Sequence, residues 1–144
     1  MHAPQVPESS RIRFRTRMRT RWSDEDNQNV LNNAVFLTLL EEGRHAYFSK
    51  LGLLEKNHFA FLLAQTNIRF LAPGRGGVEV EVELVTTSLG TSSFQQAYRV
   101  REAPGGKVWC EAEAVGVIFD PATQKSAPIP AHFRKAMAEF EGLA

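Results

Sequence analysis

The sequence has a single cysteine, four histidines and no long apolar run, and each shortage excludes a class of protein. One cysteine, Cys110, excludes an intrachain disulfide framework, and the scattered histidines show no spacing typical of a zinc site, so we expect no bound metal. No segment approaches the roughly 18–20 apolar residues of a membrane span. The N-terminus lacks the basic-then-apolar layout of a signal peptide, and we expect a cytoplasmic protein without a membrane partner.

The length of 144 residues, of which 43% are apolar, suffices for one packed core. The 17 basic and 16 acidic side chains leave a net charge of +1, so the protein has no global field that would attract nucleic acid. Residues 1–10 are polar and contain prolines, which predicts a flexible N-terminal tail. Residues 11–144 are predicted to form a single domain.

Six arginines occupy alternate positions from Arg11 to Arg21. This period of two predicts a strand with one buried face and one cationic face. Two interpretations fit the pattern. The face binds phosphates or nucleic acid, or it is the solvated face of an edge strand, where repeated charge prevents edge-to-edge pairing. We favour the edge strand, because no aromatic side chains interleave on the arginine face to stack bases.

The rest of the chain predicts an α+β fold. Apolar residues at helical spacing predict a buried helix over 34–50. Strands, separated by short turns rich in glycine and proline, are predicted over 60–71, 78–85, 94–102 and 107–119. Such turns require antiparallel hairpins, so we expect a five-stranded antiparallel sheet against one apolar helix. A loop over 120–130 and a short amphipathic helix over 131–142 complete the chain.

Three acids, Asp24, Glu25 and Asp26, stand directly before the predicted buried helix. The N–H groups at a helix start are unsatisfied and carry the positive end of the helix dipole, so they stabilise a carboxylate, a phosphate or a developing oxyanion. An aspartate beside such donors can act as nucleophile or general base on an acyl group, while the N–H groups receive the carbonyl oxygen. The alternative, favoured by the residues alone, is that the acids only cap the helix.

The same segment carries a resemblance to a known family. The string DEDNQNVLNNAVF, preceded by Arg-Trp, resembles the signature D-x-D-x-x-G-H-V-N-N-x-x-Y of hot-dog-fold acyl-CoA thioesterases. The most similar group is the 4-hydroxybenzoyl-CoA thioesterase and YbgC-like one, in which an E-x-x-R helix follows. The segments QTNIRFLAPG (65–74) and LGTSSF (89–94) resemble that family's second strand with its turn and the turn into its fourth strand.

The resemblance implies a hot-dog fold, in which the five-stranded sheet wraps around the helix. It assigns the catalytic carboxylate to Asp26, which attacks the thioester carbonyl or activates a water molecule. Asn29 and Val30 stand where the family usually has Gly-His. Asparagine tolerates the positive φ that the glycine position requires, and the expected oxyanion donor is the backbone N–H of Val30. Asn32 and Asn33 are expected to fix the helix start.

The resemblance also implies the substrate and the assembly. The expected reaction is hydrolysis of an acyl-CoA or aroyl-CoA thioester by a homodimer or homotetramer, with coenzyme A as part of the substrate and no separate cofactor. Glu42 and Arg44, in the E-x-x-R region, are expected to be solvent-exposed. The other residues expected to contact substrate are Asn33, Phe36, Arg75, Thr91 and Ser93, with Phe59 or Phe61 as further candidates for the acyl end.

Two other functions stay open at this point. A non-catalytic hot-dog protein that binds acyl-CoA or another ligand is the main alternative, because Asn29 and Val30 depart from the family pattern. A protein that contacts RNA or DNA through the arginine strand is the third hypothesis. It predicts binding that weakens steeply with salt.

Overall fold

The computed structural model describes residues 2–143. Within them lie five long strands, one two-residue strand and two α-helices, with short 3₁₀ turns at Ser9–Arg11 and Trp22–Asp24. The elements in chain order are β1 (Phe14–Arg19), α1 (Asn33–Lys50), β2 (Phe61–Phe70), β3 (Glu79–Leu89), β4 (Ser93–Glu102), β5 (Val108–Asp120), β6 (Lys125–Ser126) and α2 (Ala131–Glu141).

The sheet is antiparallel, with strand order β1-β3-β4-β5-β2 and with β6 paired to the end of β5. The long helix α1 lies on its inner face, over β1, β3 and β4. This is the predicted α+β arrangement of a five-stranded antiparallel sheet curled around one long helix. Most residues of β2 are exposed or half-buried, and the candidate site lies at its C-terminal end, beside the start of α1.

Two strands differ from the prediction by more than one residue at an end, and the first of them begins at Phe14 and not at Arg11. The first strand stops at Arg19 because the Thr20 hydroxyl donates to the Arg75 carbonyl at 2.8 Å, which turns the chain toward the segment before β3. Strand β3 continues to Leu89, although the alternation of charged residues ends before that point. The extra residues stay in the strand because they pair with β4.

Helix α1 is packed closely against the centre of the sheet. Phe36, Leu40 and Tyr47 are buried on its inner side, as their helical spacing predicts. Gly43 lies on the same side, directly above Val82 of β3. A methyl group in place of its hydrogen would lie 2.7 Å from Val82 Cγ1, so the absence of a side chain permits this close approach of helix and sheet.

A row of alternating charges crosses the outer face of the sheet. Its members lie in register on five neighbouring strands, in the order Arg15, Glu83, Arg99, Glu111 and Arg69. The guanidinium of Arg99 lies 3.1 Å from Glu83 and 2.7 Å from Glu111, and that of Arg15 lies 3.4 Å from Glu83. The predicted edge position of the arginine strand is confirmed, and the glutamates of β3 face its arginines.

The N-terminal segment crosses this outer face. The Val6 and Pro7 carbonyls accept from the Arg99 guanidinium at 3.5 and 2.9 Å, and the Ser9 hydroxyl donates to Glu83 at 2.7 Å. Glu83 is consequently only 2% exposed although it points away from the core. Residues 6–9, which belong to the segment 1–10 predicted as a flexible tail, thus make specific contacts. The local sequence did not indicate them because the partner side chains lie some 74 to 93 residues away.

Helix α2 is amphipathic, as predicted, and buries Phe133 and Met137 against the core. The Glu141 carboxylate near its end accepts the N–H of Thr86 at 2.8 Å, where β3 extends beyond its pairing with β1. Over residues 2–143, no helix combines the length and the apolar character needed to cross a membrane.

Candidate active site

The loop between β1 and α1 is fixed by its first two acids. The Asp24 carboxylate accepts the Arg21 N–H at 2.8 Å with one oxygen and the Arg21 guanidinium at 3.1 Å with the other. Glu25 reaches across to the segment that precedes β3, where its Oε2 accepts the N–H of Gly76 at 2.8 Å. Asp24 therefore has a structural role in this loop, and Glu25 joins the two segments that surround the candidate site.

Asp26 is held by hydrogen bonds within the turn that it begins. Its Oδ1 accepts the N–H of Gln28 at 2.8 Å, and its own N–H donates to the Val30 carbonyl at 2.9 Å. The side chain of Asp26 makes no other hydrogen bond and no salt bridge in the described part of the chain, so Oδ2 has no hydrogen-bond partner there. The residue is half-buried. Glu25 also keeps one oxygen, Oε1, without a hydrogen-bond partner among the described residues. Asp26 differs from it in position, because it begins the turn that leads to Val30 and the start of α1.

The turn that follows Asp26 presents a free N–H group. Asn29 has φ +61°, the left-handed conformation expected at the position where the resembled family has glycine. The N–H of Asn29 donates to the Asp26 carbonyl at 3.0 Å, and that of Leu31 donates to the Gly74 carbonyl at 2.8 Å. The intervening N–H of Val30 has no hydrogen-bond acceptor among residues 2–143, which leaves it available for an oxygen atom of a ligand.

Helix α1 begins immediately after this turn. The Asn32 side chain is its N-cap and accepts the N–H of Ala34 at 2.9 Å, so the helix-fixing role expected of the Asn-Asn pair falls to Asn32. Asn33 is the first helical residue and is exposed. The positive end of the helix dipole is therefore directed at the same region as the Val30 N–H.

A groove of about 280 Å³ opens between the start of α1 and the end of β2. Its walls include three predicted site residues, Val30, Asn33 and Phe36. The ring of Phe36 meets the ring of Phe70 edge to face, with 5.3 Å between centroids. Gly74 lies at the groove and packs so closely on Trp109 that a methyl group there would lie 2.8 Å from the indole ring. The groove is thus apolar and partly aromatic, with the polar loop of Asp26 beside it.

Of the three other residues predicted to contact substrate, one lies beside the groove and two lie far from it. Arg75 is exposed on the turn next to the groove. Thr91 and Ser93 lie at the opposite end of the sheet, because β3 runs from Glu79 near the groove to Leu89, a contour of roughly 33 Å at about 3.3 Å per residue. Within one copy of the chain, Thr91 and Ser93 are therefore far from Asp26.

The phenylalanines suggested for the acyl end lie elsewhere in the molecule. Phe59 and Phe61 pack against Phe48 at the far end of α1, with ring centroids 6.3 and 4.9 Å from that ring. They belong to the core at the end away from Asp26, and Phe36 is the aromatic residue of the predicted set that lines the groove.

The prediction that Arg44 is exposed is wrong. Glu42 is exposed, but Arg44 is only 6% exposed, and its guanidinium lies 5.6 Å above the ring of Tyr98. The periodicity contains a signal for this, because Arg44 follows Phe36 and Leu40 at intervals of four residues and so shares their face of the helix. Sequence reasoning missed it because an arginine is rarely buried unless it is paired.

Residues 2–143 contain no group of three or more His, Cys, Asp or Glu side chains arranged to hold a metal ion. The only cysteine in the chain, Cys110, is buried in β5, and burial raises the pKa of its thiol to about 12. A thiol with so high a pKa is almost entirely protonated near neutral pH, so Cys110 does not supply a nucleophile.

The sequence comparisons both match this chain to thioesterases. Residues 20–137 match the sequence model of the thioesterase-like superfamily. The chain is 26% identical over 122 residues to the chloroplastic acyl-acyl carrier protein thioesterase ATL2 of Arabidopsis thaliana, a match that covers 81% of this chain and 63% of that protein. The chain thus spans slightly less than two thirds of the length of this relative.

Solved structures agree with the fold. A thioesterase from Thermus thermophilus, complexed with coenzyme A and Zn, is 31% identical, with a TM-score of 0.79 over 90% of this chain and 95% of that one. A 1,4-dihydroxy-2-naphthoyl-CoA thioesterase from Synechocystis also has a TM-score of 0.79, over 88% and 96% of the two chains, at 24% identity. At that identity the second likeness establishes the hot-dog architecture alone.

Proposed function

Because this chain belongs to the thioesterase-like superfamily, we propose that it hydrolyses the thioester of an acyl- or aroyl-coenzyme A to the free acid and coenzyme A. The observation that carries the proposal is the pairing of two unsatisfied groups on one short turn. Asp26 has a carboxylate oxygen without a protein partner, and the N–H of Val30 has no acceptor among the described residues. Both stand beside an apolar groove at the start of a helix.

These two groups supply what thioester hydrolysis needs. The N–H of Val30 and the dipole of α1 stabilise the negative charge that develops on the carbonyl oxygen. The Asp26 carboxylate either attacks the carbonyl carbon, to form an anhydride that water then opens, or removes a proton from an attacking water molecule. In both routes the bond to sulfur breaks, and the thiolate of coenzyme A leaves and takes up a proton.

Substrate binding follows from the surroundings of the groove. The acyl group lies on the apolar wall formed by Phe36 and Phe70, and Asn33 lies at the opening. We assign the exposed guanidinium of Arg75, on the adjoining turn, to a phosphate of coenzyme A. Arginine suits this role because its planar donors match phosphate oxygens.

The assembly is also a proposal, and it rests on β2. This strand lies at the sheet edge and exposes apolar side chains, with Leu62 56% and Phe70 43% exposed. A long apolar edge of this kind pairs with another strand. We propose antiparallel pairing with β2 of a second copy about a two-fold axis. That pairing reverses the second copy, so its Thr91 and Ser93 come to the end of the sheet where Asp26 of the first copy lies.

The decisive experiment measures free thiol released from short, long and aromatic acyl-CoAs by the wild type and by Asp26→Asn. The amide oxygen of asparagine can still accept the N–H of Gln28, so the turn is kept while the carboxylate is lost. We expect kcat to fall by at least about 100-fold, as is typical when a nucleophile or general base is removed. Glu41→Gln, at an exposed position of α1, serves as the matched control and should keep full activity.

Two results would count against the proposal. Equal turnover by the wild type and Asp26→Asn would remove Asp26 from the mechanism. Saturable binding of acyl-CoA by folded protein, without thiol release from any ester, would indicate a binding protein in which Asn29 and Val30 do not replace the Gly-His of the family.

A further inference from the structure

Trp22 is the most exposed large apolar side chain in the described part of the chain. It is 81% exposed, whereas the other tryptophan of the protein, Trp109, is fully buried. The alternation of residues along β1 would bury position 22 on the same side of the sheet as Phe14. Because β1 ends at Arg19, the chain leaves the sheet before this point, and Trp22 begins the short 3₁₀ turn Trp22–Asp24. The indole therefore presents its surface to solvent and contributes little to the core.

The backbone that holds this indole is fixed by contacts with the segment before β3. A methyl group at Gly76 would lie 2.5 Å from Cα of Trp22, so the two segments touch there. The Gly77 N–H donates to the Thr20 carbonyl at 3.0 Å, and the Thr20 hydroxyl donates to the Arg75 carbonyl at 2.8 Å. Trp22 is thus exposed on a turn whose backbone is held in place. A rigid aromatic surface loses little conformational freedom when a flat ligand stacks on it.

This turn lies beside the groove between the start of α1 and the end of β2. Gly74 lines the groove together with Val30. Gly76 is two residues further along the chain, so its Cα is at most about 7.6 Å from that of Gly74. With the close approach at Gly76, Cα of Trp22 lies within about 12 Å of Cα of Gly74. Arg75 stands between the two glycines, so the groove, the arginine and the indole follow one another in that order.

Arg75 is the arginine near Trp22 whose guanidinium is free to bind an anion. The two arginines that precede the indole are engaged with the protein. Arg19 Nη1 donates to a backbone carbonyl at 2.7 Å, and the Arg21 guanidinium lies 3.1 Å from Asp24. Arg75 is exposed, and its guanidinium makes no hydrogen bond or salt bridge within residues 2–143. An aromatic face beside an unpaired guanidinium matches a nucleotide, since a base stacks on the ring and a phosphate accepts the N–H donors.

We propose that the indole of Trp22 stacks on the adenine ring of the coenzyme A substrate, with the Arg75 guanidinium on the neighbouring phosphates. The inference rests on the proposed hydrolysis of a coenzyme A thioester and assigns the residues that recognise its nucleotide. Coenzyme A presents its groups in the same order as this surface: the thioester, the pantetheine arm, the diphosphate and then the adenosine. With the thioester carbonyl at Val30, the arm leaves the groove past Gly74, and the nucleotide meets first the arginine and then the indole.

Fluorescence tests the stacking without any turnover, because the two tryptophans of the protein have opposite exposure. We expect acrylamide to quench Trp22 in the free protein and coenzyme A to protect it. Pantetheine, which lacks the nucleotide, should leave the quenching unchanged. The Trp22→Phe variant retains only the buried Trp109, so its emission should respond little to either acrylamide or coenzyme A.

Kinetic measurements show what the stacking contributes to substrate binding. The two esters compared carry the same acyl group, the one that the wild type hydrolyses fastest, on coenzyme A or on pantetheine. Trp22→Ala should raise KM for the coenzyme A ester about 10-fold, the effect of one stacked base, and leave its kcat and both constants for the pantetheine ester nearly unchanged. Trp22→Phe should restore most of the affinity, because a phenyl ring also stacks on a base.

A second pair of variants tests the phosphate contact. Arg75→Met should raise KM for the coenzyme A ester and weaken the dependence of KM on salt, because one phosphate contact is lost. Arg11→Met removes an equally exposed arginine that does not line the groove, and it should change neither.

The outcomes separate this inference from the proposed function. Equal kcat/KM of the wild type for the coenzyme A and pantetheine esters would overturn the inference and leave the thioesterase proposal intact, as would an unchanged KM in Trp22→Ala. Emission of the free protein that acrylamide does not quench would also overturn it, by assigning Trp22 to a contact with a second copy. Protection of Trp22 by coenzyme A without thiol release from any ester would instead support the nucleotide site and reject the proposed hydrolysis.

Discussion

Replacement of Gly43 by alanine tests how closely α1 is seated on the sheet. The added methyl would lie 2.7 Å from Cγ1 and 3.4 Å from Cβ of Val82, whereas carbon atoms prefer about 3.5–4.0 Å. Val82 is fully buried and is held on both sides, by Thr16 of β1 and Val100 of β4. The overlap of about 1 Å with Cγ1 therefore has to be relieved by movement of the helix.

Two effects of opposite sign determine the change in the free energy of unfolding. Alanine stabilises a helix interior by about 1 kcal/mol relative to glycine. An overpacked methyl group in a core costs about 1–3 kcal/mol, and this overlap belongs near the upper end of that range. We therefore expect Gly43→Ala to lower the stability by about 1–2 kcal/mol. In a Val82→Ala background Cγ1 is absent, so the same change should raise the stability by about 1 kcal/mol.

The effect of Gly43→Ala on stability thus differs between the wild-type and the Val82→Ala background. Urea unfolding of the wild type, both single variants and the double variant measures this difference as a coupling energy, which we expect to be about 2–3 kcal/mol. If Gly43→Ala stabilises the otherwise unaltered protein, α1 does not rest on Val82 and the packing argument fails.

Two further predictions concern the turn and the tyrosines. Asn29→Gly should keep the stability within about 0.5 kcal/mol and retain activity, whereas Asn29→Val should lose about 1–2 kcal/mol and most of kcat, because φ is +61°. Equal urea midpoints and rates in the two variants would contradict this. The chain has two tyrosines; burial raises the pKa of Tyr98 from 10.0 to about 12 and that of Tyr47 further. The unfolded chain therefore ionises first, and the stability that these groups contribute should be complete below about pH 10 and fall above it. A pH titration of tyrosinate absorbance, followed together with circular dichroism, should show ionisation only on unfolding; ionisation near the ordinary tyrosine pKa in the folded protein would contradict the burial of these groups.

The charge row on the outer face shows that the sequence of a single strand does not predict which charges lie side by side on the folded surface. The arginines of β1 and the glutamates of β3 each form a regular pattern in the sequence. Their register, with Arg15 opposite Glu83 and Arg17 opposite Glu81, exists only after the strands pair. The phosphate-binding interpretation of the arginine strand is weakened by this pairing, because Arg15 and Arg17 already lie 3.4 and 3.3 Å from glutamate oxygens.

Features that depend on neighbouring residues could be predicted from the amino-acid sequence alone. Alternation of residues is enough to predict β1 and its two faces, and helical spacing is enough to predict α1 and its buried side. The family's glycine position, together with the tolerance of asparagine for this conformation, predicts the positive φ of Asn29, and the Asn-Asn pair predicts the N-cap that Asn32 supplies. These features are local because hydrogen bonds and side-chain directions within one strand or one helix repeat every two to four residues.

Which of these local features meet depends on how the elements pack together. Packing placed Thr91 and Ser93 at the end of the sheet away from Asp26, buried Arg44 over Tyr98, and laid the N-terminal segment on Arg99. Each of these outcomes depends on strand register or on contacts between residues far apart in the chain, and such contacts are set by the shared core and not by any local pattern. A buried charge in particular is recognisable only when the elements around it are in place.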